Sequence, residues 1–387
     1  GIRRVKLHSI LEERCRELGI TLKFECEAKD PSQYPDADLF VGADGVNSKI
    51  REIYADVFKP DIEIGKNRYI WLASTHVYQA FKFFFRENEH GFFVVHAYPF
   101  DRDMSTFIVE TDEQSWLNAG LDRANEAESV RYCETLFAPE LEGGKLLSNK
   151  STWIKFNRIK NATWRHKNIV MIGDAAHTAH FSIGSGTKLA MEDAIVLAKA
   201  FAQHKNVDDA LKHYEDSRWI DVAKLQRAAE VSQRFFEDIR RWKEFAPEQF
   251  AVKLMTRSKR VTHDNLKLRD PKYILEVDRW FADHNGYKHL DPPPPPMFIP
   301  FRLRGMELIN RVVVSAMCQY SAEDGMPNDW HLVHLGSRAM GGAALVFTEM
   351  TDISREGRIS PGCAGMYKTE HAAGWKRIVE FVHANSR

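Results

Sequence analysis

Asn168-Ile-Val-Met-Ile-Gly-Asp-Ala-Ala-His177 and, shortly after it, Gly184-Ser-Gly186 decide how this chain is read. The apolar run from 169 to 172 reads as a buried strand, and it ends in Gly173-Asp174. A tight turn follows, and the glycine pair Gly184 and Gly186, with Ser185 between them, opens a helical pattern. That order gathers one carboxylate and several free helix-start N–H groups around a single point. Such a point suits a ligand with hydroxyls for the carboxylate and an anionic edge for the helix start.

A second segment has related grammar: Asp38-Leu-Phe-Val-Gly-Ala-Asp-Gly-Val-Asn-Ser-Lys-Ile-Arg51. A strand over 37–42 delivers Asp44-Gly45 to a turn, and Ser48 and Arg51 fall on the first turns of the next helix. Gly45 lets the backbone turn sharply, and Arg51 offers a fork of donors suited to phosphate. Alone, the segment reads equally well as a strand–turn–helix with an exposed salt bridge.

At 387 residues the chain exceeds one typical domain. A hydrophobic content of 44% with 28% charged residues fits a globular protein. Formal net charge is zero, so no basic footprint points to nucleic acid. No run approaches the roughly 18 apolar residues of a membrane span. The five cysteines, Cys15, Cys26, Cys133, Cys318 and Cys363, are scattered without CxxC spacing and read as reduced thiols of a cytoplasmic protein.

Five prolines within Asp291-Pro-Pro-Pro-Pro-Pro-Met297 mark a stiff spacer, and the chain is divided there into 1–290, a 291–297 linker and 298–387. Before the spacer, 6–18 reads as a helix with Leu7, Ile10, Leu11 and Leu18 on one face, and 21–28 as a strand. Aromatic-rich runs at 71–77, 81–85, 91–96 and 106–109 predict an antiparallel sheet, which 148–157 extends. Helices dominate from 185 to 283, including a long one over 207–242. After the spacer, strands at 312–315 and 343–349 alternate with helices at 330–340 and 370–384. That alternation fits the opening of a parallel barrel.

Together, the two quoted turns resemble the flavoprotein aromatic hydroxylases of the para-hydroxybenzoate hydroxylase type. Asp44, Gly45, Ser48 and Arg51 match that family's DG motif, and Gly173, Asp174, Ala175, Ala176 and His177 its GD motif. The resemblance implies that Asp174 binds the ribityl chain of FAD. It also implies that the helix start at Gly184, Ser185 and Gly186 faces the flavin N1–C2=O edge. The DG segment would lie near the FAD pyrophosphate and bear on NAD(P)H use. His180 and Phe181 stand where the family usually has proline, and Lys188 stands near its usual asparagine. His180 is therefore the candidate catalytic residue, with a hydrogen-bonded structural histidine as the competing reading. His177-x-x-His180 lacks a third ligand nearby, so no metal is expected. The dinucleotide glycine fingerprint is absent, and the sequence enters the family pattern after the first βαβ unit, as a fragment would.

Beyond the spacer lie Asn310-Arg-Val-Val-Val-Ser-Ala-Met-Cys-Gln-Tyr320, Asp329-Trp-His-Leu-Val-His-Leu-Gly-Ser-Arg338, Thr348-Glu349 and Glu356-Gly-Arg-Ile-Ser-Pro-Gly362. These resemble the first quarter of an Old Yellow Enzyme barrel. The resemblance implies FMN contacts from Ser315, Ala316 and Met317, with Cys318 near the ring and Met350 beside it. His331-x-x-His334 reads as helical spacing with core or solvent contacts.

The expected architecture is α/β: a partial Rossmann-like FAD-binding domain with an inserted antiparallel sheet and helical cap, then the first βα units of a TIM barrel. Joined in this order, the two parts are similar to the family of fused aryl-CoA monooxygenases, of the 2-aminobenzoyl-CoA and salicylyl-CoA kind. The implied activity is NAD(P)H- and O2-dependent ring hydroxylation of an aromatic acyl-CoA through FAD, with ring reduction at FMN in the complete parent. Three readings compete: a phenol- or indole-type hydroxylase with a degenerate second part, a non-catalytic scaffold, and an inactive fragment. No nucleic-acid or membrane partner is implied, and a homodimer is left open.

Overall fold

The computed structural model describes residues 2–28 and 30–386. Two compact units divide between Thr262 and His263. In the first, α1 (Arg4–Glu17) forms as its period predicts. Its apolar face stays open, however: no residue of the helix is buried, and Ile10 and Leu11 are exposed. The strand expected over 21–28 does not form among the described residues, and Glu25 takes a left-handed φ of 53° there. A strand needs a paired neighbour, whereas a helix satisfies its backbone within itself.

β1 (Phe40–Gly42) leads through the first turn into α2 (Lys49–Ile53) and α3 (Ala55–Phe58). β2 (Asp61–Ser74), β3 (Lys82–Asn88), β4 (Gly91–Pro99) and β5 (Ser105–Thr111) build the aromatic sheet. β2 begins well before the expected 71 because its first half pairs with a later strand. α4 (Glu113–Asn118), α5 (Glu126–Leu136) and α6 (Ala138–Leu141) follow, and then β6 (Leu146–Leu147) and β7 (Ile154–Lys160). The sheet runs β3-β4-β5-β2-β6, with β7 also paired to β2. β8 (Arg165–His166) then turns into β9 (Ile169–Met171), which is wholly buried and lies parallel to β1. α7 (Gly186–Gln203), α8 (Val207–Glu237) and α9 (Pro247–Thr256) complete the unit.

Three cores hold it. β9 packs on α7 and α8 through Val170, Leu189, Leu211 and Tyr214. One face of the aromatic sheet buries Phe93, Val95, Phe107 and Val109 against Cys133, Phe137 and Leu141 of the α5–α6 region. Its opposite face sets Phe92 and Val94 against Phe235 and Phe236 at the end of α8.

The second unit begins earlier than the expected 291–297 boundary, with α10 (His263–Arg269) and α11 (Pro271–His284). The proline run lies inside this unit. Arg311 explains why: its guanidinium sits 4.9 Å from Phe281 and 5.0 Å from Phe301 and donates to Asn285 at 2.6 Å, so both sides of the prolines share one cluster. A hairpin of β10 (Phe301–Leu303) and β11 (Met306–Leu308) precedes β12 (Val313–Val314). α12 (Asp329–Met340) crosses over to β13 (Leu345–Val346), which is parallel to β12. β14 (Thr351–Asp352) pairs in parallel with β15 (Ala364–Gly365), before α13 (Thr369–Asn385). Among the described residues no helix is long and apolar enough to cross a membrane.

Candidate functional site

The two quoted turns meet. Parallel pairing places Gly42 opposite Met171, so both strands release their chains at the same edge. Gly45 takes φ +80° and Gly173 φ +59°, values that favour glycine. At Gly173 space matters too, because a Cβ there would stand 3.1 Å from Ala190 of α7. Asp44 accepts from the N–H groups of Lys49 at 2.7 Å and Ile50 at 3.3 Å, and Ser48 accepts from Arg51 N–H at 3.0 Å. These residues cap α2. Arg51 is 6% exposed and donates to the carbonyl oxygens of Ala175, at 3.0 Å, and Val46. Its role is to tie the first turn to the second.

Asp193 of α7 is fully buried and was not legible in the sequence. It accepts from Gly173 N–H at 2.9 Å and from Arg218 Nε at 2.9 Å, and its other contact is His177 Nε2 at 2.9 Å. Burial alone would raise its carboxyl pKa. His177, the Gly173 N–H and Arg218 outweigh burial and bring it below the usual value. This network fixes the second turn against α7. Asp174, the next residue, is exposed. The surrounding protein nevertheless raises its pKa, with His177 and Arg4 pulling the other way.

At the start of α7, Gly184 takes φ +60°, and nothing stands where a Cβ of Gly184 or Gly186 would be. The Ser185 hydroxyl turns back to the Ile183 carbonyl at 3.2 Å and makes no cap. The first N–H groups of an 18-residue helix are thus left without a side-chain acceptor. Exposed Asp174, on the turn that packs against α7, and these N–H groups are an acceptor and donors of the kind a flavin ribityl chain and pyrimidine edge require.

The loop joining the second turn to α7 lies on the aromatic sheet. Phe181 packs 4.7 Å from Tyr69 and 5.2 Å from His96, between ring centroids. His180 is 3% exposed, and its Nδ1 accepts from Ser182 N–H at 3.3 Å. Ser182 Oγ bonds Ser232 Oγ at 2.8 Å, to which Arg257 Nε donates at 2.9 Å. Burial, with His96 and Arg257 adding and Glu110 opposing, pushes the His180 pKa down to about 4. His180 is therefore a neutral, hydrogen-bonded ring at physiological pH.

A buried polar chain crosses the same sheet face. Glu110 and His96 are each 1% exposed, with Glu110 Oε2 3.0 Å from His96 Nε2, and Asn67 donates to Glu110 Oε1 at 2.9 Å. Despite burial, the His96 bond and the nearby His180 and Asn67 hold the Glu110 pKa below normal. Tyr69 is pushed up to about 12, by burial first and then by Glu110 and Asp174. One signal could have found this chain: charged residues inside otherwise apolar strands.

In the second unit, Ser315, Ala316 and Met317 are exposed directly after β12, while Cys318 and Met350 are half-buried. Glu349 of the 349–350 segment accepts from Gln319 N–H and lies 2.7 Å from His331 Nε2. The buried Glu349–His331 pair thus joins the loop after β12 to the loop after β13 and to α12. His331 makes core contacts, one of the two outcomes expected of it, and its contact with Glu349 ties these loops to α12.

Known proteins agree with the class this geometry defines. Residues 13–229 match the family described as FAD binding domain, and the chain belongs to that family. Residues 296–387 match the NADH:flavin oxidoreductase / NADH oxidase family. Salicyloyl-CoA 5-hydroxylase of a Streptomyces species is 38% identical over 83% of this chain and 63% of its own length. The 3-hydroxy-4-methyl-anthranilyl-(aryl-carrier protein) 5-monooxygenase of Streptosporangium sibiricum is 42% identical over 59% of this chain and 61% of its own. An NADPH dehydrogenase of Bacillus cytotoxicus is 43% identical over 22% of this chain and 25% of its own. The chain thus spans about three fifths of the first two relatives. It joins a segment of the FAD binding domain family to one of the NADH:flavin oxidoreductase / NADH oxidase family, and the cofactor classes these families bring are FAD, FMN and NAD(P)H.

Proposed function

We propose that the chain serves NAD(P)H- and O2-dependent hydroxylation of an aromatic ring carried as an acyl thioester, of the salicylyl-CoA or 2-aminobenzoyl-CoA kind. What carries this reading is the Arg51–Ala175 bond, which holds the two turns at one edge, with Asp174 exposed on the turn that packs against α7 and the start of α7 uncapped by any side chain. Asp174 would hold ribityl hydroxyls, and the N–H groups from Gly186 onward would stabilise charge on the pyrimidine edge. Bound FAD supplies the oxygen chemistry. The chain's own residues position the ring and exclude water. Phe181, Tyr69 and His96 form an aromatic wall one loop away from Asp174, and neutral His180 keeps that loop in place. Both thioester relatives support the substrate class, because a CoA thioester and a carrier-protein thioester present the acyl group on the same phosphopantetheine arm.

In the second segment, Ser315, Ala316, Met317, Cys318 and Met350 would face FMN, at the C-terminal ends of parallel strands.

Reconstituting the protein with FAD tests the proposal. The expected result is a bound flavin spectrum that Asp174→Ala abolishes, and oxidation of NAD(P)H stimulated by salicylyl-CoA with a hydroxylated product. Turnover of free salicylate but not of its thioester would favour the phenol-type hydroxylase instead.

A further inference from the structure

A cavity of about 350 Å3 opens in the first unit between the end of α8 and strands β2, β4 and β5. Its size falls within the range of small-molecule sites, roughly 300–1,000 Å3. Glu110 connects it to the site above: the residue lines the cavity and also holds His96, whose ring contacts Phe181. Phe92, Val94 and Phe236 give the cavity apolar walls.

The polar groups in it are not equivalent. Arg240 is already held, by Ser115 Oγ at 2.7 Å and Asp112 at 3.1 Å. Glu237 accepts from Lys66 N–H and from Gln233 Nε2, both at 2.9 Å. Asn67 differs. It is 8% exposed and gives its Nδ2 to Glu110, while its Oδ1 is buried without a partner among the described residues. A buried carbonyl oxygen left so is costly, and an N–H or O–H donor satisfies it. At the rim stands exposed Arg241, whose guanidinium lies 4.8 Å from the Trp242 ring centroid, with Lys253 on the same ring at 4.4 Å. Arg241 and the Trp242 ring stand at the rim with exposed Asp238. The lining carboxylates of Glu110, Asp112 and Glu237 are each held by partners, and Asn67 Oδ1 is short of one donor.

We infer that this cavity receives the phosphopantetheine arm of the substrate, with an arm amide N–H on Asn67 Oδ1 and the phosphate at Arg241. The inference rests on the aryl-thioester reading above. It takes the arm's chemistry as the ligand, whether CoA or a carrier protein brings it.

Calorimetric titration of the FAD-loaded protein tests it with four probes: salicylate, salicylyl-pantetheine, salicylyl-CoA and a salicylyl-carrier protein. At least one phosphopantetheine thioester should bind about 10-fold or more tighter than salicylate. Asn67→Leu should weaken all the thioesters by up to about 10-fold and leave salicylate unchanged. Because that substitution also removes a hydrogen bond from Glu110, exposed Arg241→Glu supplies a second test independent of folding. It should weaken the phosphate-bearing thioesters and spare salicylyl-pantetheine. Either order of affinity between the CoA and carrier forms supports the arm site and names its source. Thioesters that bind no better than salicylate, or unchanged thioester affinities in both variants, overturn the cavity assignment while the hydroxylase reading stands. If no probe binds at all, the aryl-substrate reading itself fails, and the cavity assignment with it.

Discussion

The two faces of the aromatic sheet come from the same strands and do different work. Alternation along β4 sends Phe93, Val95 and Ala97 to one side, and Phe92, Val94 and His96 to the other. The first side is continuous hydrocarbon, closed by Phe137 and Leu141. On the second, the apolar row is broken by His96, Glu110, Asn67 and Tyr69. A sheet needs only one apolar face to be stable. Desolvating a carboxylate and an imidazole on the second is unfavourable unless each finds partners. The first face therefore reports stability, and the second reports chemistry.

Four substitutions test that division. Phe107→Ala, on the hydrocarbon side where the ring is fully buried, should cost about 4 kcal/mol in denaturant unfolding, equally at pH 5 and pH 8. A loss that changed with pH would break the distinction between the faces.

On the other side, the folded protein holds the His180 pKa near 4 against 6.5. The unfolded chain binds that proton first, so this contribution is complete above pH 6.5 and is lost as pH falls toward 4. It amounts to about 3 kcal/mol over the window. Urea midpoints at several pH values should show the slope in the parent and a flatter profile in His180→Asn. An unchanged slope would mean that another group titrates there.

Arg51→Met should lower stability by about 2 kcal/mol through lost donors to two carbonyls, and should loosen bound FAD on dilution. Retention of flavin at parental affinity would show that the two turns hold each other without it. The smallest effect belongs to Lys188→Ala on exposed α7. Its ion pair with Glu192 should leave the melting temperature within measurement error, since solvent screens such pairs.

Features that short-range grammar dictates were legible in the sequence. The turns at Gly45 and Gly173, the start of α7, the long α8, and the alternation of β12, α12 and β13 all follow from local period and glycine placement. Arg51 shows where that grammar stops. Its position on α2 followed from the motif, but its target, the Ala175 carbonyl, lies 124 residues away and depended on β1 lying parallel to β9. The 21–28 run failed as a strand for the same reason, since alternation proposes a strand and only a neighbour secures it. The proline run looked like a boundary because proline stiffens any chain, yet Arg311 gathers Phe281 and Phe301 from both sides of it.

The sequence alone determined that this chain carries two flavin-type segments and where their glycine turns fall, because backbone turns and helix starts are encoded within a few residues. Tertiary structure alone decided which carboxylates meet which imidazoles: Asp193 with His177, Glu110 with His96, Glu349 with His331. Those pairings depend on strand register and helix packing. A shift of one residue along β4 or β5 would turn His96 or Glu110 to the opposite face of the sheet.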